Sequence, residues 1–442
     1  MMFNMAQSAF RNFVIGVDTQ IPLRNGKWVT SINFDNAATT PPFIQTLHEI
    51  INFAPMYSSV HRSTGFKSEL STKLFETTRL IVSNFVQADP CYDNVIFVKN
   101  TTEAINKLSF RLLEPNEKSV VLSTNMEHHS NDLPWRNKYY VDYVEIDEDG
   151  RLRLDDLENK LIRFKGAVKL VTVTWASNVT GYINPIYEIA EIAHSHNAKI
   201  LVDGAQIASH VPVDMKPRNS PQHIDYLAFS AHKMYAPFGT GVLIGPAETF
   251  KKGSPEYVGG GTVRTVTRNN VIWDDPPSKE EAGTPNVMGV VALQAAIKTL
   301  SMIGLHNIHK YEIGLWNYTV EKLKGIPGIR LYCDTNANKP RTGIIPFNIE
   351  GIHHSVVADI LAREAGITVR NGCFCAQPYV CRLLKVTPME TETDLKDCRS
   401  SRPGMVRISF GLYNDCNEIN VLIQTLAHIA EYKDCYIQRY IR

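Results

Sequence analysis

Short apolar runs with β-forming residues recur along the first two thirds of the chain, and helix-like patterns separate them. The runs are Val95–Val98, Ser119–Ser123, Val168–Thr174, Lys199–Val202, Tyr226–Phe229 and Gly241–Ile244. Between them lie stretches such as Thr102–Arg111 and Ile186–His196, the second with Ile186, Ile189, Ala190 and Ala193 at helical spacing. Parallel strands need long crossovers, and helices are the usual crossover, so this alternation predicts an α/β domain with a mostly parallel sheet. The large domain is expected over 35–296. A long helical segment from Gly289 to about Lys324 then reads as a connector. β-like runs at Ile344–Ile349 and Val406–Phe410, with helix-like Ser355–Ala365 and Glu418–Glu431, predict a smaller α+β domain over 297–442. Residues 1–34 are expected to pack with that small domain. The polar stretch Thr391–Pro403 reads as an exposed, mobile loop.

The 442 residues, 44% of them hydrophobic, suffice for two cores. Lys+Arg number 46 against 45 Asp+Glu, so the chain lacks the charge footprint of a nucleic-acid or anionic-membrane binder. No apolar run reaches the roughly 18 residues of a membrane-spanning helix. The N-terminus lacks a basic start and a long apolar core, so no secretory signal is expected. Eight cysteines show no disulfide framework, and four of them, Cys373, Cys375, Cys381 and Cys398, fall in one stretch. In this context clustered cysteines read as catalytic, metal-binding or reduced, and the expected compartment is the cytoplasm.

Two strand ends carry chemistry. The run KILVDGAQ (199–206) leads an apolar strand into Asp203, and YLAFSAHK (226–233) leads another into Ser230, His232 and Lys233. Open α/β sheets bind ligands at such ends. A lysine amine forms a Schiff base with pyridoxal phosphate (PLP), and a carboxylate keeps the cofactor's ring nitrogen protonated, so the pair suits PLP chemistry. NVIFVKNTTEAIN (94–106) reads as a strand followed by a capped helix, which places Thr101 and Thr102 where free N–H groups favour an anion such as the phosphate. Ordinary helix capping accounts for the same threonines, and a turn or cap role for a single aspartate.

With these residues in view the sequence resembles the class V aminotransferase group of fold-type-I PLP enzymes, and within it the cysteine desulfurases and selenocysteine lyases. The matching stretches include FDNAATTPP (34–42), VHRSTG (60–65), NTTEAIN (100–106), MEHHSNDLPW (126–135), SNVTG (177–181) and LVDGAQ (201–206). They continue with FSAHKMYAPFGTG (229–241), GGGT (259–262), EAGTPN (281–286), VRNGCFCAQP (369–378) and MVRISFGLYN (405–414). The resemblance implies a Schiff base on Lys233, a pyridinium partner in Asp203 and a contact from Gln206 to the cofactor's phenolic oxygen. It implies that His128 stacks on the ring, and that Thr101, Thr102, Ser230 and His232 hold the phosphate. Thr284 would reach the phosphate of the other subunit of a homodimer. Asn178 would lie beside cofactor and substrate, and Arg407 would grip the substrate carboxylate. Cys375 falls at the position of the nucleophilic cysteine, with Arg370 upstream as a source of positive potential.

The resemblance thus implies an enzyme that converts L-cysteine to L-alanine, forms a persulfide on Cys375 and hands the sulfur to an acceptor, which can be a protein. Three features depart from the family's best-known patterns. A second cysteine, Cys373, makes the motif Cys-Phe-Cys; the stretch from Cys375 to Arg407 is long; and VRNG stands where VRTG is usual. These departures leave room for a selenocysteine lyase, a C–S lyase or an epimerase on the same scaffold. A zinc-binding or other non-catalytic thiol scaffold is the reading from another class. Cys-x-Cys spacing and the distance to Cys398 suit a zinc ribbon poorly, so no metal is expected.

Overall fold

The structure is a computed structural model that describes residues 7–112, 119–336, 338–387 and 402–440. Seven strands form the main sheet: β1 (Asp93–Val98), β2 (Val120–Thr124), β3 (Tyr140–Val144), β4 (Val168–Thr174), β5 (Lys199–Asp203), β6 (Tyr226–Ser230) and β7 (Gly241–Pro246). Their order is β1-β7-β6-β5-β4-β2-β3, and only β7 runs against its neighbours. The strands are apolar without alternation because both faces are covered. In β5, Ile200, Leu201 and Val202 are all fully buried. One face packs into a large cluster around Val171, Val202 and Phe229, and the other into a smaller cluster with Leu108, Trp135 and Leu201.

Helices α1 (Phe66–Val86), α2 (Thr101–Arg111) and α3 (Ile186–Ser195) belong to this layer. The connector expected as one long helix is two, α4 (Val287–Ile303) and α5 (Leu305–Lys324), bent by 75°. Gly304 is the break: its φ of +86° is a conformation that side chains oppose and a helix cannot continue through. Among the described residues no single helix is long and apolar enough to cross a membrane.

A second, antiparallel sheet follows, ordered β8 (Ile329–Leu331), β9 (Ile344–Ile349), β11 (Met405–Ser409) and β10 (Arg370–Gly372). Helices α6 (His354–Ala365), α7 (Gln377–Leu384) and α8 (Cys416–Glu431) complete this region. The N-terminal stretch is fastened to it. Ser8 donates to the Leu412 carbonyl, Arg11 pairs with Glu418, and Ile32–Asn33 forms a short parallel pair with Ile367–Thr368. The loop expected at Thr391–Pro403 lies outside the described residues except for Arg402 and Pro403.

Gly241 lies against backbone at the functional end of the sheet. A β-carbon there would stand 2.7 Å from the Asn100 α-carbon, which caps α2. We therefore expect Gly241→Ala to push the cap of α2 away and lower the unfolding free energy by about 1–3 kcal/mol. Urea denaturation measures the loss, and an unchanged midpoint would contradict the assigned contact.

Candidate active site

The C-terminal ends of the parallel strands converge on one cavity of about 210 Å³. Strand β5 delivers Asp203 and the following Gln206; β6 delivers Ser230, His232 and Lys233; the loop after β4 delivers Asn178; the loop after β2 delivers His128. Thr101 and Thr102 enter from the start of α2, and Arg407 from β11 of the second sheet. Arg370, Phe374 and Cys375 complete the wall. Thr284 is not among these residues; it is exposed and lines a different hollow with Lys99 and Glu103. A larger cavity of about 710 Å³ lies at the opposite ends of the same strands, lined in part by Lys169, Lys199 and Tyr226. It contains none of the strand-end residues singled out in the sequence.

The donors at the start of α2 form a connected group. Thr101 donates from its backbone N–H to Ser230 Oγ at 2.8 Å, and the two hydroxyls lie 2.7 Å apart. The Thr102 and Ser130 hydroxyls are also 2.7 Å apart. Asn100 caps the helix by accepting from the Glu103 N–H at 3.0 Å. Hydroxyls gathered at the positive end of a helix suit an anion.

Asp203 is buried, and its Oδ1 accepts from the Ala205 N–H at 2.9 Å. Burial raises its pKa, against that hydrogen bond and the charge of Lys233. A carboxylate in this condition is stabilised by a cation placed beside it, as a protonated ring nitrogen would be. Burial lowers the pKa of Lys233 to about 8, although Asp203 works the other way. The amine is therefore partly neutral, and nucleophilic, near physiological pH. His128 accepts from the Ser130 N–H at its Nδ1, 3.1 Å away, so the neutral ring carries its proton on Nε2. Burial, reinforced by Lys233, holds its pKa down at about 3, and His232 is held at about 4 for the same reasons. Gln206 uses one amide N–H on the Ala37 carbonyl at 2.7 Å. An anion cradle, a nucleophilic amine and a buried carboxylate share one small cavity with an uncharged imidazole, and together they fit PLP.

Arg407 is buried and already engaged. It donates to Asp35 Oδ1 at 2.8 Å and to the Asn178 carbonyl at 2.9 Å, and its charge lies 5.0 Å from the centre of the Phe374 ring. Its Nε has no partner among the described residues. Asp35 was not assigned a role from sequence, although it lies in the quoted FDNAATTPP stretch. The signal available was a carboxylate at the head of a run of small residues, which does not by itself reveal a partner 372 residues away.

Cys375 is exposed on the cavity wall. It occupies a four-residue turn closed by a hydrogen bond of 2.8 Å from the Ala376 N–H to the Cys373 carbonyl. Both central residues are left-handed, with φ +53° at Phe374 and +55° at Cys375. Such conformations cost about 1–3 kcal/mol each for residues with side chains. Cys373 is half-buried and donates to the Pro403 carbonyl at 3.1 Å. Its thiol pKa is driven up by a hydrogen bond with Cys381 and then by burial. The two cysteines of the motif thus differ: one thiol is tied down and protonated, the other is open to the pocket. Cys398 lies outside the described residues.

Three measurements follow from this geometry. The rate at which apo-protein takes up PLP should rise as pH passes about 8, the pKa of Lys233, where an ordinary lysine would still be fully protonated. Sodium borohydride should then fix the cofactor to wild type and not to Lys233→Ala. In timed alkylation with iodoacetamide at pH 8, peptide mapping should find Cys375 modified well before Cys373. Equal rates would contradict the difference in their surroundings.

Comparisons with known proteins agree with this arrangement. The profile of the family described as aminotransferase class-V matches residues 32–422. A probable cysteine desulfurase of Halalkalibacterium halodurans is 35% identical over 409 residues, covering 91% of this chain and 93% of that protein. A probable cysteine desulfurase of Staphylococcus aureus is 34% identical over 416 residues, covering 92% and 94%. Among solved structures, the apo cysteine desulfurase from Thermococcus onnurineus superposes with a TM-score of 0.81 at 32% identity, covering 91% of this chain and 95% of that one. The S-sulfonic acid form of an Escherichia coli cysteine desulfurase gives 0.78 at 26% identity, covering 96% and 98%. With a family match across most of its length and relatives similar from end to end, the chain belongs to the class-V aminotransferase family.

Proposed function

We propose that this protein is a PLP-dependent cysteine desulfurase that converts L-cysteine to L-alanine and retains the sulfur as a persulfide on Cys375. The observation that carries the reading is the exposed Cys375 thiol on the wall of the cavity that holds Lys233 and Asp203. When bound, PLP supplies an electron sink that lets the substrate's α-proton leave.

The remaining roles belong to the chain. Lys233 would attach the cofactor, and its amine, held partly neutral by burial, would move the proton at the substrate's α-carbon. Asp203 would hold the ring nitrogen protonated, and Gln206 would meet the phenolic oxygen. His128, uncharged, would stack on the ring. Thr101, Thr102, Ser230 and His232 would hold the phosphate. Asn178 flanks cofactor and substrate. Arg407 receives the substrate carboxylate, oriented by Asp35 and by the Asn178 carbonyl. Cys375, as thiolate, attacks the substrate sulfur; the carbon–sulfur bond breaks with its electron pair left on carbon, the carbon skeleton takes up one proton at Cβ and one back at Cα, and alanine leaves with the outer sulfur retained on Cys375. The exposure of Cys375 suits onward transfer to an acceptor protein.

We read the chain as a homodimer. Phe66, Phe238, Val258 and Ile272 are each more than half exposed, apolar side chains that a second copy would cover. Thr284, exposed and outside its own chain's cavity, fits a role at the partner's phosphate. The division into 1–34, 35–296 and 297–442 and a cytoplasmic location, where thiols stay reduced, complete the proposal.

Amino-acid analysis after incubation of the PLP-loaded protein with L-cysteine and a thiol reductant tests the reading. Alanine and sulfide should appear in equal amounts, and Cys375→Ala should lose at least about 100-fold in rate while still binding cofactor. Pyruvate with ammonia would replace the reading with a β-eliminating C–S lyase. Unchanged alanine output from Cys375→Ala would remove Cys375 as the nucleophile.

A further inference from the structure

The turn that carries Cys375 has no glycine or asparagine to relieve its two left-handed residues. Something outside the turn must hold it. The Phe374 carbonyl accepts from Asn178 Nδ2 at 2.7 Å, and the Cys375 carbonyl accepts from the His129 N–H at 2.6 Å. The His129 ring then reaches past the turn: its Nε2 accepts from the N–H of Gln377, the first residue of α7, at 3.2 Å. One residue thus binds both the turn and the helix start that follows it. Because Nε2 is an acceptor here, the ring is neutral with its proton on Nδ1. Its neighbour His128 faces the other way, into the cavity, with ring centres 6.4 Å apart.

We infer that His129 is a positioning residue for Cys375: its backbone N–H and its ring nitrogen bracket the strained turn and keep the Cys375 thiol on the cavity wall. This rests on the desulfurase reading for its kinetic consequence, although the bracket itself does not. His128 and His129 then divide the work of one dipeptide, the first for the cavity and the second for the cysteine turn. The bracket also accounts for the absence of glycine. A glycine turn would form without outside help but would not be confined to one conformation, because glycine has the most backbone freedom to lose.

The test compares His129→Leu with His129→Gln in the PLP-loaded protein. The two side chains are similar in bulk, and only Gln offers an acceptor to the Gln377 N–H. Hydrogen–deuterium exchange should show faster uptake across residues 374–377 in His129→Leu and near wild-type uptake in His129→Gln. Alanine formation by His129→Leu should fall by about tenfold or more in kcat, with KM for L-cysteine and the cofactor's absorption spectrum unchanged, because a misplaced nucleophile slows reaction more than binding. His129→Gln should restore most of kcat. Wild-type exchange in His129→Leu, or a His129→Gln no better than Leu, would overturn the inference. If wild type forms no alanine, the desulfurase reading fails, and the exchange comparison still decides the bracket.

Discussion

Arg407 carries a full positive charge into a place almost closed to water, and the site is organised around keeping it there. Burial lowers its pKa, against the charge of Asp35 and their hydrogen bond. Removing one partner of such a pair typically costs 3–5 kcal/mol, roughly, because the other charge is left buried alone. The guanidinium is on strand β11 of the second sheet, Asp35 comes from the N-terminal stretch, and the Asn178 carbonyl comes from the main sheet's loop. Asp35 is itself bridged to Ser409 on β11, two residues from Arg407. A single charged group therefore joins three separate parts of the chain. The same guanidinium lies over Phe374, beside Cys375, so the junction also reaches the thiol.

Around this junction the parallel sheet supplies position, and burial supplies chemistry. Strand ends fix Asp203 and Lys233 in the way open α/β sheets place their ligand-binding groups. Desolvation then sets their protonation. It makes Lys233 a better nucleophile and leaves Asp203 in need of a cationic neighbour, and it keeps His128 neutral. None of these groups needs an unusual partner; each needs removal from water at a fixed place. Cys375 is the exception. It stays exposed, and hydrogen bonds to the turn's backbone fix its position.

Much of this was legible in the sequence where the signal was local. The strands Val168–Thr174 and Ile344–Ile349 have the expected ends, and Asp203 and Lys233 stand at strand ends as the apolar runs implied. The continuous helix through residue 304 was misread because a lone glycine in a helical pattern is compatible with continuation, and only its positive φ reveals the bend. The partnership of Asp35 with Arg407 and of His129 with the Cys375 turn was not legible. Each joins residues more than 200 positions apart, and no periodicity in a single sequence encodes such a contact. The difference between Cys373 and Cys375 was equally hidden, since it depends on which thiol meets the Pro403 carbonyl and Cys381.

The central claim is that sulfur is accepted at Cys375, in the cavity that contains Lys233. It is tested most directly by mass spectrometry of peptides from PLP-loaded protein treated with L-cysteine without reductant. The account predicts one added sulfur atom on Cys375 and none on Cys373. Sulfur retained on Cys373, or on neither cysteine while alanine accumulates, would contradict it.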